Sequence, residues 1–156
     1  MNRTEIDRYE AGAEAPKRWI AGLTTAELTA YPVPDTWSIL EIAMHMMDSD
    51  LIGSDRMKRV IAEAHPTLVG YDETAFIVTL GYVPAEVESA VEVFRLNRQL
   101  TTAVLRRQDD ATFARTGYHT EDGDKTLADL VTAYANHLEH HEKFVRQKRE
   151  LLGKPL

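Results

Sequence analysis

From Ile39 onward the chain places apolar residues at intervals of three and four. Ile39, Ile42, Ala43, Met46, Gly53, Met57, Val60 and Ile61 fall on one face of a helix that meets no breaker before Ala64. Ser38-Ile39-Leu40-Glu41 is a capping box that opens it, and Pro66 closes it. His45 sits at the edge of this face, and Ser49 and Gly53 beyond it are small enough to leave room in a bundle interior. The same spacing recurs three more times. Ile6, Tyr9, Ala13, Ile20 and Leu23 pattern Asn2 to about Leu23 as helix, with Pro16 kinking or splitting it. Val87, Val91, Phe94, Leu100 and Leu105 pattern a third helix that begins at Pro84 and ends near Arg107. Leu127, Leu130, Tyr134, His137, His141, Phe144 and Leu151 form a seam along Thr126–Leu152, which ends at Gly153 and Pro155.

Between these stretches the sequence breaks. Thr24-Thr25-Ala26-Glu27 has the form of a capping box for a short helical turn, and the prolines at 32 and 34 then disfavour helix. Thr67–Val83 reads as a long connection with a short helix over Asp72–Leu80, ended by Gly81. Asp109–Lys125, with Gly117, Gly123 and several charges, reads as a loop with a brief turn near Phe113. Four long helices and no convincing strand predict an all-α fold, an antiparallel-type four-helix bundle. The two long connections are of the kind that covers one end of a site.

The fourth helix carries the chemistry. A core-facing seam ordinarily holds Leu or Ile, yet two of its positions are His137 and His141. Positions four apart on a helix differ by only about 40° and project side by side, so two neutral imidazoles there can chelate one divalent cation. His140 lies about 120° from the stripe and belongs at the surface or behind the site. His45 on the second helix can face the same interior and supplies a third ligand. His65, at a helix end before Pro66, is explained by the helix dipole, and His119, in a charged loop, by solvation. A lone interior histidine is commonly a hydrogen-bonded core residue, and an i, i+4 pair also arises by chance. Three clustered imidazoles without a metal, however, each need a buried partner and repel one another once charged. Three histidines with an open position are the pattern of a catalytic metal site.

Composition narrows the choices. The 156 residues are most simply one domain, 1–156, with a hydrophobic share of 44% and a charged share of 28%. A net charge of -7 argues against nucleic acid, which needs a basic patch. The basic run Lys143–Arg149 is explained by the dipole of a helix C-terminus. With no cysteine, disulfides and thiolate ligands are excluded, and any metal rests on His, Asp, Glu or water. Met1–Glu10 is polar and charged, and no apolar run approaches the ~20 residues that cross a bilayer, so a soluble cytoplasmic protein without a membrane partner is expected.

Several strings in order resemble the DinB/YfiT-like superfamily of bacterial four-helix bundles: Thr36-Trp37-Ser38-Ile39 leading to His45, Gly70-Tyr71-Asp72-Glu73 within Pro66–Phe76, Ala114-Arg115-Thr116-Gly117 before His119, and Tyr134-Ala135-Asn136-His137-Leu138-Glu139-His140-His141. The likeness spans Thr36 to about Arg149. It implies an up-down-down-up helix order, a homodimer, and a divalent metal (zinc, nickel or iron) on His45, His137 and His141. Members are provisionally classed as metal-dependent hydrolases, and some relatives are S-transferases using a low-molecular-weight thiol such as bacillithiol or mycothiol. The leading expectation is therefore a metal-dependent enzyme, an S-transferase or a hydrolase, acting on a small molecule. Alternatives are a non-catalytic metal- or small-ligand-binding dimer and a structural bundle with three satisfied core histidines. For a hydrolase, Asp48, Glu139 and Glu142 lie within sequence reach as a general base, although solvated carboxylates explain all three.

Overall fold

A computed structural model describes residues 3–156; Met1 and Asn2, where the first predicted helix begins, lie outside the described residues. The first bundle helix is split rather than kinked: α1 (Thr4–Ala11) passes through a 3-10 turn (Gly12–Glu14) into α2 (Ala15–Ile20). Pro16 sits in the first turn of α2, where its missing N–H costs nothing. Helix α3 (Thr25–Leu28) and α4 (Ile39–Ala62) each start on the expected capping box. At α4, the Glu41 N–H donates to Ser38 Oγ at 3.2 Å and the Ser38 N–H donates to the Glu41 carboxylate at 2.6 Å. Helix α5 (Glu73–Leu80) is the predicted short helix, ending at left-handed Gly81. Helix α6 (Val87–Arg106) follows a 3-10 turn at Pro84–Glu86, and α7 (Asp110–Phe113) is the turn expected near Phe113. Helix α8 (Leu127–Leu151) opens on a capping box of Thr126 with Asp129.

The register of contacts gives the helix directions. Tyr9 meets Asp50, while Trp19 packs with Ile42 and Met46, so the first helix runs opposite to α4. Leu40 and Met44 pack with Val87 and Val91, Asp50 and Ser54 meet Asn97, and Met57 and Val60 pack with Leu105, so α4 and α6 run parallel. His45, Ser49 and Arg56 meet His141, His137 and Tyr134 in turn, so α8 runs opposite to α4. The order is up-down-down-up, as the resemblance implies, and the bundle contains a parallel pair that a simple antiparallel arrangement lacks. Parallel neighbours require a connection that travels back along the bundle. The segment 63–86 does so, and its Ile77 packs among Leu40 and Met44 at the start of α4.

Two expectations are corrected. The connections contain strands: β1 (Thr67–Leu68) pairs in parallel with β2 (Thr116–His119), which pairs antiparallel with β3 (Gly123–Thr126). Strands this short carry no readable period, and Gly and His fill the inward positions of β2, so the alternation is not one of hydrophobicity. On α8, Phe144 and Leu151 are exposed, and the buried stripe turns through Leu138, Val145, Lys148 and Arg149. These two cations sit in the last turn of α8, where they complement its dipole as expected, and also reach other elements. Arg149 Nη1 donates to the carbonyls of Trp19 and Ala21, at 2.7 and 3.1 Å, and Lys148 Nζ reaches Thr36. They tie the end of α8 to the end of α2 and to the loop before α4.

At mid-bundle a buried ion pair joins all four helices. Arg98 Nε donates to Asp50 Oδ1 at 2.9 Å, with both side chains essentially inaccessible to water. The other guanidinium nitrogens donate to the carbonyls of Tyr9 (3.0 Å) and Tyr134 (2.9 Å). Asn97 donates to the second Asp50 oxygen at 2.8 Å, and Arg98 lies over the Tyr9 and Phe94 rings. A Cβ at Gly12 would strike Leu138 and Arg98, so only glycine admits this approach. Replacing Asp50 by Ala leaves a buried guanidinium without its counter-ion. Urea unfolding of Asp50→Ala is expected to show a loss of about 3–5 kcal/mol.

Candidate metal centre

The two long helices bring together the three histidines singled out from sequence. His45 is buried on α4; His137 and His141, half-buried, stand one turn apart on α8. The Nε2 atoms of His45 and His141 lie 3.1 and 3.0 Å from Nε2 of His137, and all three ligand atoms lie within 4.8 Å of one another. Burial, reinforced by the neighbouring imidazoles, holds each ring's pKa at about 3, so all three are neutral at pH 7 with lone pairs available. Three neutral rings cannot satisfy one another at such distances, since Nε2 of His137 faces two nitrogens and can donate to only one. Ligands ~2.0–2.1 Å from a shared cation are about 3 Å apart, so the donor set fits a metal capped on one face.

The surroundings fix the rings and leave one side open. Ser49 Oγ lies 3.4 Å from Nδ1 of His137, so a proton on that nitrogen turns the Nε2 lone pair inward. Trp37 stacks parallel to His141 (5° between planes) and leans on His45, closing the side toward the loop before α4. His141 Nδ1 is buried without a hydrogen-bond partner in the protein. The opposite side opens into a cleft of about 660 Å³ whose lining includes Ser49, Arg56, Tyr71, Glu73, His119 and His137.

Residues 8–145 match the DinB superfamily. The chain belongs to that superfamily. Among its relatives, BH0277 of Halalkalibacterium halodurans is 22% identical over 94% of this chain and 95% of its own length. YfiT of Bacillus subtilis is 23% identical over 88% of this chain and 78% of its own. Both are provisionally named metal-dependent hydrolases. The solved structure of YfiT, described as an unusual four-helix bundle topology, superposes with a TM-score of 0.89 at 22% identity, covering 96% of this chain and 86% of that one.

The remaining histidines and carboxylates of this DinB protein fall differently. His140 is exposed, as expected. His65 has left-handed backbone (φ 48°) past the end of α4, and its Nε2 lies 3.0 Å from Asp124. His119 is not solvated: it is buried on β2, lines the cleft, and accepts from the Glu121 N–H at 3.4 Å. Strand pairing carried it inward, which a charged loop sequence conceals. Asp48 accepts from Tyr82, Glu139 pairs with Arg8, and Glu142 with Arg146, so all three carboxylates are committed elsewhere. The carboxylate that does approach is Glu73, whose Oε2 lies 3.6 Å from His45 Nε2. Sequence spacing offered no signal for it beyond the Gly-Tyr-Asp-Glu string of the resemblance, because Glu73 comes from the crossover.

Folded-state pKa values below the ordinary 6.5 mean that the unfolded chain takes up protons on the histidines first. With metal removed by chelation, stability is therefore expected to be full above about pH 6.5 and to fall as pH drops towards 3. The slope is about 1.4 kcal/mol per pH unit for each net proton taken up by the unfolded chain. Urea unfolding at pH 7, 6 and 5, beside a variant with all three histidines replaced by Gln, checks this. The variant should show the shallower slope.

Proposed function

We propose that this DinB-family protein is a metal-dependent hydrolase of a small molecule, with His45, His137 and His141 holding a divalent cation through Nε2. The observation that carries the reading is the convergence of three neutral Nε2 atoms, one of whose rings, His137, also lines a cleft. The names of the relatives agree with it. A cation bound there supplies Lewis acidity, lowering the pKa of water or a thiol and polarising a substrate carbonyl. Three imidazoles suit zinc, nickel or iron.

The protein supplies position and proton handling. Ser49 orients His137, and Trp37 shields His141 and His45 from bulk water on one side. Glu73, exposed at the mouth and 3.6 Å from the histidine cluster, is placed to accept a proton at Oε2 from an attacking water and return it to the leaving group. With no cysteine in the sequence, any thiolate nucleophile has to come from the substrate.

Elemental analysis of the purified protein is expected to find near-stoichiometric divalent metal, lost in His45→Ala and His137→Ala. Glu73→Gln should retain the metal and lose about 10²–10⁴-fold in kcat on an activated ester. A parent that is metal-free and takes up neither zinc nor nickel at neutral pH would overturn the proposal. Transfer of a low-molecular-weight thiol to an electrophile, in place of ester hydrolysis, would assign the same centre to the S-transferases.

A further inference from the structure

The cleft is lined by a buried cation that has no ion-pair partner among the described residues. Arg56 follows His45, Ser49 and Gly53 along one face of α4, about three turns beyond the histidine. Its side chain is buried, with only 9% of the residue accessible, and it lines the cleft. One terminal nitrogen donates to Tyr134 Oη at 2.9 Å and the other to the Val69 carbonyl at 2.6 Å, both neutral acceptors. Its Nε is buried with no acceptor at all. Among the described residues Arg56 forms no ion pair, in contrast to Arg98 one helix away, whose carboxylate partner is complete. A guanidinium removed from water without an anion is costly, and such a charge ordinarily has a counter-ion.

A second donor faces the same space. The Tyr71 hydroxyl lines the cleft, is buried, and has only the Ser49 hydroxyl, which can donate to it, as a neighbouring partner among the described residues, leaving its own proton free to donate. Burial raises its pKa to about 12, so it stays protonated and can only gain by donating. The cleft's carboxylates do not serve Arg56. The Asp72 carboxylate accepts from the Ala75 N–H, that of Asp129 accepts from the N–H and hydroxyl of Thr126, Asp122 faces Lys125 at 3.8 Å, and Glu73 and Glu121 are exposed. Among the described residues none of the five forms an ion pair with Arg56.

We propose that Arg56 and the Tyr71 hydroxyl form a subsite for the carboxylate of an anionic small-molecule substrate, whose reactive group then faces His45, His137 and His141. One partly engaged guanidinium and one hydroxyl make a donor set for the two oxygens of a carboxylate rather than the three of a phosphate. Tyr134 couples the two ends of the cleft: its hydroxyl accepts from Arg56, its ring fills the space above Gly53, and it stands one turn before His137 on α8. The inference deepens the hydrolase reading and rests on it for the orientation of substrate, while the anion contact needs no metal.

The test is calorimetric titration of the full chain, as purified and after chelation, with glutarate and with uncharged glutaramide at fixed ionic strength. Glutarate is expected to bind at least tenfold more tightly than glutaramide in both preparations. Arg56→Met should abolish that preference, and Tyr71→Phe should weaken glutarate three- to tenfold, with metal content unchanged in both variants. Tyr71→Phe keeps the test decisive where Arg56→Met fails to fold. Equal affinity for the two probes, or a preference that survives Arg56→Met, overturns the subsite. Glutarate binding that vanishes on chelation and ignores Arg56→Met places the carboxylate on the metal, overturning the subsite while supporting the metal centre. Arg56-dependent binding in a protein that never holds metal supports the subsite and counts against the hydrolase.

Discussion

The arrangement depends on the buried pair of Arg98 with Asp50. Its guanidinium has a carboxylate on α4 and carbonyls on α1 and α8, so one side chain from α6 touches every helix of the bundle. A buried ion pair adds little net stability, because desolvation offsets most of the attraction. Its effect is on specificity, since any other register of α4 against α6 or α8 would leave the charges apart. Asp50 follows His45 by little more than a turn, and the Tyr134 carbonyl precedes His137 by just under one. The network that sets the helix registers therefore also sets the spacing of the histidines.

The parallel pair of α4 and α6 has a functional consequence. A parallel pair cannot be joined by a tight turn, and the returning segment crosses the outside of α4 past the histidine face. Tyr71 and Glu73 ride on that segment, while His119 comes from the hairpin that joins it through β1. The helices supply the rigid histidine cluster, and the connections supply the wall, mouth and polar lining of the cleft. Rigid ligands on helices and variable groups on loops are a division that lets one metal-binding scaffold accept different substrates.

The bundle treats its buried cations in different ways. Arg98 has a full counter-ion; Arg149 and Lys148 are spent on carbonyls and a hydroxyl at the helix ends; Arg56 meets only neutral acceptors beside open space. The first serves helix register and the second chain closure. The third lies where a ligand's own charge can complete it.

Much of this was legible in the chain itself. Local rules set the helix ends, because a capping box or a glycine acts within four residues: Ser38 with Glu41, Thr24 with Glu27 and Gly81 all act where the pattern puts them. The histidine cluster was legible for the same reason, since His137 and His141 are neighbours by helical geometry and His45 lies on the apolar edge of a well-marked helix. What depends on partners far along the chain was not. Strand β1 exists only through pairing with β2 some fifty residues on. The β2–β3 hairpin is local but too short to carry a period, and the burial of His119 goes with both. The α8 seam turned from Phe144 and Leu151 to Val145, Lys148 and Arg149, because at that end Val145 meets the Trp19 cluster while Arg149 and Lys148 reach the carbonyls at the end of α2 and the Thr36 hydroxyl. Asp50, Arg98, Arg56 and Glu73 are indistinguishable from surface charges until the helices pack. Sequence by itself determined the elements and the pair of neighbouring histidines on one helix. Tertiary structure alone decided which charges are buried, which are compensated and what walls the cleft, because those depend on distances between segments that no local pattern encodes.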